Sequence, residues 1–261
     1  MTPSERFVHE LCQTAFLSLW TYPNPKRRDG KELCDVLTVC QPDVIIFSVK
    51  DIILNDDPTK TEIDRWRRRA VGKSISQLYG AERYLRTTDT VISSDGGFGV
   101  ALPEVEGRKV HRVAVAAGSN GIVSLQSQDF GKGFVQVFDE QTFWTLARDL
   151  DTITDFVEYL NDREALLLLQ GPRVISTDED ILAVYLMNNR SFAPLLDKNY
   201  DLKIFMDIWP GFVHDPQYQL KKAADKESYI WDNLISQFHE DCLKGNMELG
   251  DLNSIDQLTR V

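Results

Sequence analysis

Cysteine is scarce in this chain and unpatterned. Four occur in 261 residues, Cys12, Cys34, Cys40 and Cys242, with no CxxC pair among them. That excludes a cysteine-paired zinc ribbon and a disulfide framework, and predicts a reducing, cytoplasmic setting. Long apolar runs are missing too. The longest, at residues 44–49 and 166–169, fall far short of the roughly 20 residues a membrane helix needs, so no membrane partner is expected. No charged-then-apolar leader precedes a small-residue cleavage site, which predicts that the chain is not secreted. A basic excess is absent as well. The 29 basic and 40 acidic residues leave a net charge of −11, which opposes indiscriminate binding to nucleic acid.

What is present is ordinary globular material, 43% hydrophobic and 26% charged, in a length that suits one large domain or two small ones. The charge is unevenly spread. Residues 1–99 carry 14 basic and 14 acidic residues, whereas 100–261 carry 15 and 26. Inside the neutral part, Arg65, Arg67, Arg68, Arg69 and Lys73 crowd into nine positions. The pattern allows a local basic face on an acidic body.

Ser4 suits the cap of a helix over 5–19. Two prolines and a glycine make 22–30 a loop. Residues 33–40 and 44–50 alternate as strands joined by Gln41-Pro42-Asp43. A long helix is predicted over 61–85, and the helix cost of Gly72 and Gly80 inside it points to close packing there. Strands are expected over 90–92, 110–117, 121–125 (after an Asn120-Gly121 turn) and 133–138. A helix over 140–159, capped by Asp139, follows. From Asp178 onward the pattern is helical and acidic, interrupted at Trp209-Pro210-Gly211.

The stretch 30–50, GKELCDVLTVCQPDVIIFSVK, carries the chemistry. Side chains alternate across a strand, so Leu33, Asp35, Leu37 and Val39 share one face, and Val44, Ile46, Ser48 and Lys50 share another. Cys34 and Cys40 fall on the opposite face. A tight hairpin brings Asp35 and Lys50 to the same end of one sheet face. There a carboxylate can hold a divalent metal while a lysine orients or deprotonates water and offsets phosphoryl charge.

These residues resemble the PD-(D/E)xK nuclease superfamily, in which a helix with a glutamate precedes a strand with an aspartate, a strand ending in (D/E)-x-K, and a helix bearing a glutamine or lysine. Here Glu5, Asp35, Ser48-Val49-Lys50, and Lys73 with Gln77 follow that order across residues 1–90. The segment KSISQLYGA looks like the corresponding helix of Mrr-like and Holliday-junction-resolvase-like members. Ser48 departs from the pattern, because it stands where an acid is usual and is a poor metal ligand.

The resemblance implies an α/β fold with a mixed central sheet flanked by helices, over residues 1–175, with an acidic helical accessory region over 176–261. It implies a nuclease using Mg²⁺ or Mn²⁺, acting on DNA more readily than RNA, in a bacterial restriction or anti-phage setting. Asp35, the Val49 carbonyl, Glu5 and Glu32 would hold the metal. Lys50 would activate water, Gln77 would orient it or a phosphate, and Arg65, Arg67, Arg68, Arg69, Lys73 and Tyr79 would contact nucleic acid. A homodimer, or a protein partner held through the acidic region, is the further implication. The competing reading is a catalytically inactive nuclease-fold module that binds nucleic acid or protein.

Other motifs fail. Gly72-Lys73-Ser74 imitates the end of a phosphate loop, but Arg67 stands where its first glycine belongs. His239 and Cys242 lack two further zinc ligands. His214-Asp215 has no nucleophile motif to serve. Residues 96–99, GGFG, read as a connection.

Overall fold

A computed structural model describes residues 1–94, 96, 99–168, 173–195, 202–204 and 206–243. Helix α1 spans Pro3–Phe16. Thr2, rather than Ser4, caps it, accepting from Glu5 N while the Glu5 side chain accepts from Thr2 N. The helix ends at Phe16, because Leu17 turns to φ 67°.

Six strands form a mixed sheet in the order β1 (Thr21–Pro23), β2 (Val36–Cys40), β3 (Asp43–Asp51), β6 (Lys109–Ala117), β8 (Phe134–Phe138) and β7 (Gln128–Asp129). The outer pairings β1–β2, β2–β3 and β7–β8 are antiparallel, and β3–β6 and β6–β8 are parallel. Part of the expected loop is thus strand. Thr21–Pro23 pairs with β2 at the sheet edge, where a proline removes no ladder bond that matters. The expected strand over 121–125 is absent. That segment is turn, and the sheet edge is instead closed by Gln128–Asp129. Outside the sheet, β4 (Thr90–Ile92) and β5 (Gly99–Ala101) form a hairpin.

Both faces of the sheet are covered. Val36, Ile45, Phe47, Val49, Val113, Val115 and Phe138 pack under α1, α4 (Glu140–Asp149), α5 (Ile153–Leu167) and α6 (Asp178–Met187). Leu37, Val39, Val44, Ile46, Ala114, Val135 and Val137 pack under α3 (Lys73–Leu85) and the β4–β5 hairpin. The expected single helix over 140–159 is two, because Leu150 leaves the helical region and Thr152 caps a new start on Asp155 N. Asp139 caps the first, as expected. Helix α6, beyond the expected 175/176 boundary, enters the same core through Ile181, Leu182 and Tyr185.

The helix predicted over 61–85 is continuous but not uniform: α2 (Lys60–Arg67), a π segment (Arg68–Gly72), then α3. The burial pattern explains the π turn. Trp66, Ala70, Ser74, Leu78 and Glu82 are all buried, each four residues from the last. In an α-helix that spacing drifts about 40° per step, and a wider turn takes up the drift. Trp66 anchors the run, donating from Nε1 to Ile52 O at 2.5 Å. The glycines do not mark tight contacts. A Cβ on Gly80 would meet nothing within 4 Å, and one on Gly72 only Arg67 O at 3.9 Å.

After α6 come β9 (Arg173–Ile175) and β10 (Leu202–Ile204), which pair in parallel, so the region is not wholly helical. Helices α7 (Ile208–Val213) and α8 (Pro216–Leu243) complete the described chain. The break expected at Trp209-Pro210-Gly211 lies inside α7. Among the described residues no helix is long and apolar enough to cross a membrane. Gly97 and Phe98 of the expected connection, and the side chains of His239 and Cys242, lie outside the described residues.

Candidate active site

Asp35 stands one residue before β2, where the regular ladder stops at the pair Val36–Phe47. Its backbone is fixed on both sides, N donating to Phe47 O at 3.1 Å and O accepting from Asn24 N at 2.9 Å. Asn24 reaches that position with φ 43°, a conformation asparagine tolerates. The Asp35 carboxylate replaces the missing strand partner, with Oδ2 accepting from Val49 N at 2.5 Å. Asp35 is 2% exposed. A carboxylate so deeply buried has to be paired and hydrogen-bonded.

It is both. Lys50 Nζ donates to Asp35 Oδ2 at 3.2 Å and to Val49 O at 3.0 Å, and its side chain keeps 26% exposure. Gln77 Nε2, on α3, donates to Asp35 Oδ1 at 3.3 Å. Ser48, wholly buried, donates from Oγ to Gln77 Oε1 at 3.0 Å. The hairpin face predicted from alternation therefore exists, and Asp35, Ser48, Lys50 and Gln77 meet on it. Ser48 is what the residue pattern missed. Read only as a failed metal ligand, it is the group that orients the Gln77 amide. The clue was parity, since Ser48 shares its face with Lys50 and the helix carrying Gln77 covers that face.

Glu32 and Glu5 complete the acidic side. Burial pushes the Glu32 carboxyl up first, and Asp35 within hydrogen-bonding reach pushes it further. Asn24 opposes the rise, and Glu5 adds a smaller upward push. Asn24 Nδ2 lies 3.2 Å from Glu32 Oε2. Glu5 is partly committed elsewhere, its Oε2 accepting from Thr2 N at 2.7 Å in the capping box. Among the described residues no group of three or more His, Cys, Asp or Glu side chains is arranged to hold a metal ion. Val49 O, the expected backbone ligand, accepts from Lys50 instead.

No known protein family, curated protein or solved structure matches the chain. The remaining residues are therefore placed by geometry alone. Arg65, Arg67, Arg68, Arg69 and Lys73 are exposed, and among the described residues none joins an ion pair. Glu82, a potential local partner for them, is taken by Arg112 at 2.5 and 2.6 Å and by Arg86 at 2.9 Å. Burial alone would raise the Glu82 carboxyl, but these two guanidinium groups hold it below its ordinary value. Lys73 lies one turn before Gln77, and Arg65–Arg69 stand about 12–18 Å before Gln77 along the axis. Tyr79 is engaged inside the fold. Its hydroxyl donates to Gly133 O at 2.6 Å and Arg112 lies over its ring at 5.8 Å. Cys34 is buried beside Leu33 and Leu37, not on the opposite face, because residues 33–35 precede the regular strand.

Proposed function

We propose that the chain is a metal-dependent nuclease of the PD-(D/E)xK type, hydrolysing phosphodiester bonds in nucleic acid, DNA more readily than RNA. One observation carries the reading: Lys50 Nζ and Gln77 Nε2 converge on the two oxygens of one buried carboxylate, Asp35, at 3.2 and 3.3 Å. Chain order supports it, with the acid before β2, the lysine near the end of β3 and the glutamine on the following helix, all beside a mixed sheet. A bacterial restriction or anti-phage setting remains part of the proposal through the resemblance.

The donors suit a hard cation such as Mg²⁺ or Mn²⁺, being carboxylate and carbonyl oxygens. The upward push on Glu32 from Asp35 marks an excess of negative charge that such a cation offsets. Asp35, Glu32, the Val49 carbonyl and Glu5 would hold it. When bound, the ion supplies Lewis-acid stabilisation of charge on the phosphoryl group.

The chain's own residues do the rest. Val49 N and Gln77 fix the Asp35 carboxylate, and Ser48 fixes Gln77. Lys50 Nζ, on the exposed side of this cluster, hydrogen-bonds the attacking water and offsets charge on a phosphoryl oxygen. The water oxygen bonds to phosphorus as the bond to the 3′ oxygen breaks. One water proton leaves and the departing oxygen takes one up, giving a 5′-phosphate and a 3′-hydroxyl. Arg65, Arg67, Arg68, Arg69 and Lys73 supply phosphate contacts along the helix.

The test is cleavage of labelled single- and double-stranded DNA and RNA at low salt, with Mg²⁺, Mn²⁺ or EDTA, by the wild type and Lys50→Ala. Metal-dependent cutting that disappears in Lys50→Ala is expected. A second reading, an inactive nuclease-fold module, draws on Ser48 and on the open arrangement of the carboxylates. It predicts binding without cutting under every metal, and equal cutting by Lys50→Ala would likewise remove the lysine chemistry.

A further inference from the structure

Asn24 stands at the sheet edge between two prolines, directly after β1. The register Tyr22–Leu37 and Pro23–Val36 leads to it, and its N–H closes on Asp35 O at 2.9 Å. Its side-chain Nδ2 donates to Glu32 Oε2 at 3.2 Å, and Glu32 is itself within hydrogen-bonding reach of Asp35. With the nitrogen committed to a carboxylate, the amide oxygen is the atom left over. Asn24 Oδ1 is buried, and no hydrogen-bond donor among the described residues reaches it. Such an oxygen is rare in a folded protein and calls for an explanation. The local sequence denies it the usual partners. An asparagine oxygen ordinarily accepts from a backbone N–H about two residues on. Pro25 has no N–H. Lys26 N donates to Ile92 O at 2.7 Å and Arg27 N to Lys31 O at 2.8 Å. The neighbouring carboxylates, when ionised, only accept.

We propose that Asn24 is a ligand of the divalent cation, its Oδ1 joining the carboxylates of Asp35 and Glu32 while its Nδ2 holds Glu32 in place. The inference rests on the metal-dependent reading above and adds a ligand that the resemblance does not supply. The chemistry fits. A side-chain carbonyl is a usual oxygen ligand for a hard cation. It brings that oxygen without charge, at a place where Asp35, Glu32 and Glu5 face a single lysine, Lys50. A further carboxylate would do the same only by adding repulsion to the metal-free chain. The backbone is also held in place, by φ 43° and by the bond to Asp35. The competing partner for the oxygen is a buried water, and metal binding separates the two.

The readout is Mn²⁺ binding by the full chain, followed by the paramagnetic resonance signal of the free ion, with melting curves in Mn²⁺ and in EDTA. Asn24→Gly keeps the positive-φ backbone and deletes both amide atoms. Its Kd for Mn²⁺ should rise about tenfold or more, and the rise in Tm that Mn²⁺ gives the wild type should shrink. Asn24→Asp keeps an oxygen but sets a third carboxylate against Glu32 and Asp35. It should melt below the wild type in EDTA and gain more than the wild type from Mn²⁺. Should Asn24→Gly fold poorly, the Asn24→Asp comparison decides. Wild-type Mn²⁺ affinity in Asn24→Gly overturns the proposal and makes the partner of Oδ1 a water. A smaller gain from Mn²⁺ in Asn24→Asp than in the wild type overturns it too. The two levels of failure are distinct. A wild type that binds no Mn²⁺ removes the metal-dependent reading together with this ligand, whereas equal binding by wild type and Asn24→Gly leaves that reading standing and removes Asn24 alone.

Discussion

Ser48 occupies, with a buried hydroxyl, the position where the resemblance expects an acid, and its bond to Gln77 turns a departure into a role. Ser48→Ala leaves the Gln77 amide free to rotate. Losing one neutral hydrogen bond is worth about 1 kcal/mol, so kcat for nucleic-acid cleavage should fall roughly fivefold and the thermal midpoint by no more than about 2–4 °C. In a Gln77→Ala background the same substitution should do nothing further, because both act through Asp35. Additive losses in that cycle would show that Ser48 acts elsewhere. Glu32 makes a second, independent prediction. Its folded pKa lies above the ordinary 4.5, from burial first and Asp35 next, so the native state holds that proton more tightly than the unfolded chain. The resulting stabilisation is complete below the ordinary value and is lost as pH rises through the folded value. Melting curves in EDTA over about pH 4–8 should decline less steeply for Glu32→Gln than for the wild type; parallel profiles would deny the Glu32–Asp35 coupling. Most of this site was legible from alternation alone, since Asp35 and Lys50 needed only a period of two and a tight turn. The Ser48–Gln77 bond was not, because it joins residues 29 apart through the packing of a helix on the sheet.

At the scale of elements, the helix from Lys60 to Leu85 shows where periodicity informs and where it misleads. Its existence follows from apolar spacing, yet its glycines suggested crowding, and the space around Gly80 is open. Gly80→Ala should therefore stabilise the protein by about 0.5–1 kcal/mol, since alanine loses less backbone entropy in a helix. Differential scanning calorimetry would read this as a small rise in Tm, and a fall would reveal a neighbour that Cβ cannot clear. Other elements were hidden for physical reasons. Thr21–Pro23 is strand because β2 offers it an edge, which no local propensity encodes. Residues 140–159 read as one helical pattern, and the break at Leu150 becomes visible only through the Thr152 cap. The segment 121–125 has the composition of a strand, but the edge beside β8 is taken by Gln128–Asp129. Local pattern fixes element type, whereas pairing partners decide which short segments become strands.

Across the whole molecule, the charge asymmetry of the sequence becomes a surface with two characters. The acidic excess lies beyond residue 99, while an exposed arginine run sits on the helix that also delivers Gln77 to Asp35. If phosphates are held along that run, each neutralised phosphate contributes a counterion-release slope of about 0.9 to the salt dependence of duplex binding. Replacing Arg67, Arg68 and Arg69 together by alanine should then make the plot of log K against log salt shallower by about 2–3, with little change in cleavage at saturating substrate. Arg27→Ala is the control, because Arg27 is already paired with Asp29 at 2.6 Å and has no free charge to offer. A binding titration at several salt concentrations separates the outcomes. A loss of slope confined to the triple variant places nucleic acid along the helix, on a line leading to Lys50. An unchanged slope makes the run a solvated face, and the backbone must then approach the site from the side of Glu32 and Glu5, where the negative charge of Asp35 and its neighbours would have to be screened by the cation itself.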